Sequence, residues 1–127
     1  MADTKFAFRE EMKNRTKQFA LRVIRLSQSL PHTREADVLA RQLMRSGTSV
    51  AANYRAACVA RSLAEFKSKL SIVIEECDES IFWMEMLVDG SFIKKELLES
   101  LMQEATELLY IFSTARKKAS TSKAISD

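Results

Sequence analysis

The chain has 127 residues, enough for one domain with a sizeable core, and a formal net charge of +3. Two glycines and a single proline exclude hairpin and sandwich folds, which need turn residues every ~8–12 positions, and point to an all-helical chain. The charge is uneven: residues 1–61 carry 12 Lys/Arg against 5 Asp/Glu, whereas residues 62–127 carry 8 against 12.

The opening "MADTKFAFREEMKNRTK" scatters charges and leads into no apolar run, unlike an export signal. No stretch reaches the ~18 apolar residues of a membrane span, so a soluble, cytoplasmic protein with no membrane partner is expected. In that reducing compartment Cys58 and Cys77 are expected as free thiols used as small core residues.

The first predicted helix covers residues 8–30, with Met12, Phe19, Val23, Leu26 and Leu30 at steps of three, four and seven, and Pro31 stops it. The second follows Thr33, a predicted N-cap, and places Leu39, Leu43, Val50, Tyr54 and Ala57 on one face. A break is expected near Arg61, where "SLAE" at residues 62–65 reads as a capping box: Ser62 takes a free backbone N–H, and Glu65 reaches back to the cap.

The third helix has the most regular pattern, with Leu63, Phe66, Leu70, Val73, Cys77, Ile81, Met84 and Val88 at steps of three and four. Gly90 is expected to supply the left-handed residue past its end. The fourth covers residues 92–118 on Leu97, Leu101, Ala105, Leu108, Phe112 and Ala115, with Arg116, Lys117 and Lys118 at the negative end of its dipole. Short connections between long helices predict an antiparallel, up-down-up-down four-helix bundle over residues 1–119, followed by a flexible tail over residues 120–127.

A monomeric bundle needs one apolar stripe per helix, and three of these helices carry more. Leu21 and Ile24 fall on the back of the first helix, Ala52, Ala56 and Val59 on the back of the second, and Ile72, Trp83 and Met86 nearly opposite the stripe of the third. These eight residues are the candidate oligomer interface. The small residues of "RSGTSVAANYRAAC" then have a purpose, since they let neighbouring backbones approach closely on more than one side. A phosphate-binding loop is excluded there: "RSGTS" has one glycine, lacks the G-x-x-x-x-G-K-[ST] spacing and follows no strand.

Catalytic chemistry finds little to work with. The acidic run "EECDES" at residues 75–80 lacks the Glu-x-x-His pairs of di-metal bundles, and the one histidine, His32, sits in the "LPHT" turn. Neither a metal nor another cofactor is expected, and no enzyme. Arg34, Arg41 and Arg45 line one outer strip of the second helix, with Arg15 and Arg22 among the basic residues of the first. These five arginines are the candidate nucleic-acid contacts. Such a surface binds phosphates without sequence preference, unless the arginines pair with Glu65, Glu75, Glu76 and Glu79 of the third helix.

"RSGTSVAANYRAA", "RSLAEF" and "EECDES", within residues 41–87, together with "IRLSQSLP" at the end of the first helix, closely resemble the bacterial four-helix bundle proteins named for the intervening sequences of 23S ribosomal RNA genes. The resemblance implies an antiparallel bundle assembled as a closed ring, commonly of five subunits. One branch of that family, the accessory variability proteins of diversity-generating retroelements, is basic, binds nucleic acid and partners a reverse transcriptase. The expectation is therefore a non-catalytic homo-oligomer that uses its basic face for RNA, DNA or a nucleic-acid enzyme. The alternative is a protein-interaction module whose arginines are used in ion pairs.

Overall fold

The computed structural model describes the backbone of residues 2–126 and the side chains of residues 4–121. Four helices follow in order: α1 (Ala2–Ser29), α2 (Arg34–Cys58), α3 (Leu63–Asp89) and α4 (Lys95–Ser126). They pack as an all-α four-helix bundle with no strand among the described residues.

The helix boundaries show why the sequence breaks where it does. α2 opens on Thr33, whose hydroxyl accepts the Ala36 N–H at 3.1 Å, and α3 opens on Ser62, whose hydroxyl accepts the Glu65 N–H at 3.0 Å. Each occupies one of the donors that a helix start leaves free. The Glu65 carboxylate reaches one residue past the expected cap, to the Arg61 N–H at 3.3 Å.

The end of α3 differs from expectation by one position. Gly90 is the cap at φ −82°, and the left-handed residue is Ser91 at φ 63°. Phe92 N–H bonds to the Leu87 carbonyl at 2.9 Å and Ser91 N–H to that of Val88 at 3.0 Å, a Schellman closure. Glycine serves there by lacking a side chain, because a Cβ on residue 90 would stand 2.7 Å from the Phe92 ring and 3.0 Å from the Met86 carbonyl oxygen.

Two ends shift more. α1 is helical from Ala2 rather than from residue 8, and α4 starts at Lys95 rather than 92. With Phe92 and Ile93 in the connection, the first core residue of α4 is Leu98, fully buried, while the expected Leu97 is 69% exposed. The expected tail continues as helix through Ser126, and residue 127 lies outside the described residues.

The core is continuous across all four helices and includes Phe19, Leu43, Leu70, Met84 and Phe112, with Tyr54 and Phe112 in tilted contact at 4.9 Å between centroids. Thr16 is buried without cost because its hydroxyl bonds to the Met12 carbonyl one turn back, at 2.8 Å. α1 and α2 cross at Gly47, where a Cβ would lie 3.0–3.2 Å from Val23. The preceding residue, Ser46, meets α3 through the Ser80 hydroxyl. Small residues thus admit close neighbours on two sides within one chain. The seam between α1 and α4 is the sparsest of the four.

Candidate functional site

The two polar stretches singled out in the sequence lie against each other. The Ser80 hydroxyl bonds to that of Ser46 at 2.9 Å in the buried α2–α3 seam, and Arg45 reaches out of the seam to Glu76 at 3.2 Å and to Glu79. Glu79 also accepts the Trp83 indole N–H at 3.1 Å, and Ser49 bonds to the Glu76 carboxylate. Asn53 continues the row by donating to the Ser49 hydroxyl at 2.8 Å.

The two carboxylates differ in their ease of ionisation. Burial pushes the Glu76 carboxyl above the usual range against the pull of Ser49 and Arg45. Burial acts on Glu79 too, but the Trp83 N–H, the hydrogen bond with Glu76 and the Arg45 charge overcome it and hold Glu79 below that range. Of the two, Glu79 ionises the more readily, and it is the carboxylate that also holds the Trp83 indole.

The five candidate arginines separate into two groups. Arg15 on α1 makes a two-pronged pair with Glu104 on α4, at 2.8 and 2.7 Å, and approaches Glu107 at 3.5 Å. Arg45 is held as described, so two of the five are engaged inside the chain. Arg22 donates to the Ser100 hydroxyl at 2.9 Å. Arg34 and Arg41 are exposed and have no ion pair among the described residues.

Of the candidate interface residues, Leu21, Ala52, Val59 and Met86 are exposed, Val59 most of all at 76%, while Ile24, Ala56, Ile72 and Trp83 are half-buried. Trp83 does not stand opposite the core. It packs partly against it, tethered by Glu79. Its neighbour Phe82 is the more exposed ring, at 48%, and meets Trp83 edge-on at 4.9 Å. Phe82 belongs neither to the apolar stripe of α3 nor to the Ile72, Trp83 and Met86 set opposite it, so neither pattern singled it out. The signal is there: Glu75, Asp78, Phe82, Glu85 and Asp89, at steps of three and four, form an exposed acidic row broken by one aromatic residue.

The reactive side chains are dispersed. His32 is exposed in the α1–α2 turn. Cys58 and Cys77 are unpaired, and burial pushes the Cys77 thiol up to about 12. Among the described residues no three His, Cys, Asp or Glu side chains converge as a metal site would require, and no helix is long and apolar enough to cross a membrane.

A second feature had no signal in the residue pattern. Where the start of α1, the end of α2, the start of α3 and the end of α4 meet, the bundle opens into a cavity of about 790 Å³ lined by Phe8, Tyr54, Phe66, Leu70, Tyr110 and Ile111, among others.

Residues 10–114 match the family model described as 23S rRNA-intervening sequence protein. The chain belongs to that family. The match spans both the Arg45–Asn53 stretch and the Glu76–Ser80 stretch that close the α2–α3 seam. A solved structure from Bacteroides thetaiotaomicron, described as a protein of unknown function from the S23 ribosomal protein family, is 33% identical to the chain. It aligns over 86% of this chain and 97% of its own, with a TM-score of 0.80. No curated protein matches the chain.

Proposed function

We propose that this member of the intervening-sequence family is a non-catalytic, cytoplasmic assembly module: an antiparallel up-down-up-down bundle whose copies close into a homo-oligomeric ring, of five subunits as the family resemblance implies. The observation that carries the reading is the α3 ridge, where Phe82 and Met86 are exposed beside a Trp83 fixed in place by Glu79. Aromatic residues, Met and Arg are enriched at the centres of protein interfaces. The antiparallel arrangement is supported by paired levels, Arg15 with Glu104 and Arg22 with Ser100. The Arg45 pair with Glu79 sets α2 against α3, and Arg41, exposed one turn from Arg45, supplies a polar residue for the rim of such an interface. The non-catalytic reading rests on the dispersal of His32, Cys58 and Cys77.

A ring also suits the charge distribution. The acidic row of α3 on one copy and the exposed Arg34 and Arg41 of the next are complementary, which favours a fixed register of association. Light scattering on Trp83→Asp and Phe82→Asp tests the proposal against Glu99→Lys, an exposed change on α4. The ridge variants should lose mass relative to wild type, and Glu99→Lys should not. Equal masses for all four proteins would refute the assignment.

A second reading is favoured by Arg34 and Arg41 being exposed without ion pairs: the assembled protein binds RNA or DNA, or an enzyme acting on them, without sequence preference. Repetition around a ring would add weak phosphate contacts by multivalency. Fluorescence anisotropy at low salt reads this out. Arg34→Glu with Arg41→Glu should abolish binding, whereas unchanged affinity would assign both residues to assembly.

A further inference from the structure

The cavity at the open end of the bundle is graded from floor to lip. Leu70 and Tyr54 are buried at its floor, Phe66 and Ile111 are half-buried walls, and Phe8 and Tyr110 stand exposed at its edges. The Arg15–Glu104 clamp ties α1 to α4 further along the seam, and the groove occupies the stretch beyond it, towards the start of α1. A volume of about 790 Å³ lies within the ~300–1,000 Å³ typical of small-molecule sites.

The charges at this opening have one sign. Lys5, Arg9 and Lys118 are the charged residues of the lining, all three are exposed, and none has an ion pair among the described residues. The acid next along the chain, Glu10, is outside the lining and is paired with Lys13 at 2.6 Å. Thr4 and Thr114 add two hydroxyls to the lining. A purely apolar ligand would leave the three cations unused, and a strand of nucleic acid would leave the apolar floor unused. A molecule that satisfies both has one anionic head and one apolar tail.

We propose that this groove binds a single-chain amphiphile of the long-chain carboxylate class, taken as a free monomer, with its tail on Tyr54, Leu70 and Ile111 and its head among Lys5, Arg9 and Lys118. The site is separate from the α3 ridge, so it stands or falls independently of the assembly reading. Nothing is transferred or cleaved. The tail is withdrawn from water, and the carboxylate receives charge-assisted hydrogen bonds.

Calorimetric titration of the full chain with dodecanoate, kept below its micelle-forming concentration, tests the proposal. One dodecanoate should bind per chain. Affinity should rise about fourfold per methylene along octanoate, decanoate and dodecanoate, the increment expected of buried CH₂ groups. Dodecanol, and the combined variant Arg9→Glu with Lys118→Glu, should each lose about tenfold or more by removing the charge-assisted contact. Ala115→Trp should fill the groove and block binding; because that change risks the fold, the rim variant, whose two sites are exposed, provides the independent test. The proposal is overturned if dodecanoate gives no saturable heat, or if acid, alcohol and dodecyltrimethylammonium bind alike. It is equally overturned if anionic phospholipid vesicles bind while the monomer does not. Loss of assembly mass in Tyr110→Asp would also overturn it, because a second copy of the chain would then cover the groove.

Discussion

Gly47→Ala probes the α1–α2 crossing most sharply, because two effects of known sign oppose each other there. Alanine in mid-helix is favoured over glycine by about 1 kcal/mol. The new Cβ would meet Val23 at 3.0 Å to Cγ2, 3.1 Å to Cγ1 and 3.2 Å to Cβ, with Val23 fully buried. A β-branched side chain in a helix has essentially one rotamer, so the helices must part by a few tenths of an ångström. Overpacking of this kind costs about 1–3 kcal/mol, which leaves Gly47→Ala destabilising by about 1 kcal/mol, or about 3–5 °C in Tm for a chain of this size.

The decisive comparison adds Val23→Ala. With both methyl groups removed the helices can readjust, so Gly47→Ala should become neutral or stabilising by up to about 1 kcal/mol. A coupling of about 1–2 kcal/mol between the two sites is expected, as for residues in direct contact. Urea unfolding followed by circular dichroism at 222 nm measures all four proteins, at one protomer concentration because the proposed assembly would add to apparent stability. If Gly47→Ala stabilises both backgrounds equally, close approach at Gly47 does not limit the packing of α1 on α2.

Arg15→Ala should destabilise the chain by about 1.5–3 kcal/mol by stripping the two-pronged pair from half-buried Glu104; a cycle with Glu104→Ala should recover part of that loss, and additive losses would deny the pairing. Ser62→Ala should cost about 1 kcal/mol and speed amide exchange in the first turn of α3 before that of α2. At pH 7 Glu79→Gln should cost more stability than Glu76→Gln, since the folded state favours ionised Glu79 and disfavours ionised Glu76. Glu79, with its folded pKa below the unfolded value, contributes stability above the unfolded pKa that fades as pH falls through the folded one; the Glu76 penalty is relieved as pH falls through its raised pKa. The gap between the two variants should therefore close in acid, and urea titrations at pH 7 and pH 3 would detect it. Native thiol labelling at pH 8 should modify Cys58 and spare Cys77, whose thiol is pushed up to about 12, with both reacting in denaturant.

Most of the fold was legible because helix punctuation is local. Pro31, Thr33, Ser62 and the glycine after Asp89 each act within a turn of their own position, and each marks a true boundary. The errors fall where a local rule has two solutions. Leu97 and Leu98 both fit a stripe leading to Leu101, and only the start of α4 at Lys95 decides for Leu98. A glycine near a helix end can be needed for its φ or for its missing Cβ, and the Phe92 ring decides for the second at Gly90.

The surface was less legible because it depends on register between helices far apart in sequence. The pairing of Arg15 with Glu104, or of Arg45 with Glu79, requires knowing which turns stand level. The same holds for the open groove, which is a property of helix spacing at one end of the bundle and of no residue alone. Trp83 looked outward on a helical wheel, yet its size lets it fold back over the core while Glu79 holds its indole.

Native mass spectrometry of the wild-type protein at micromolar protomer concentration reads out the proposed self-assembly into a closed ring. One dominant species at five times the 14.5 kDa chain mass is expected, with no ladder of larger forms because a closed ring leaves no free interface. A protein that remains a 14.5 kDa monomer under these conditions would contradict it.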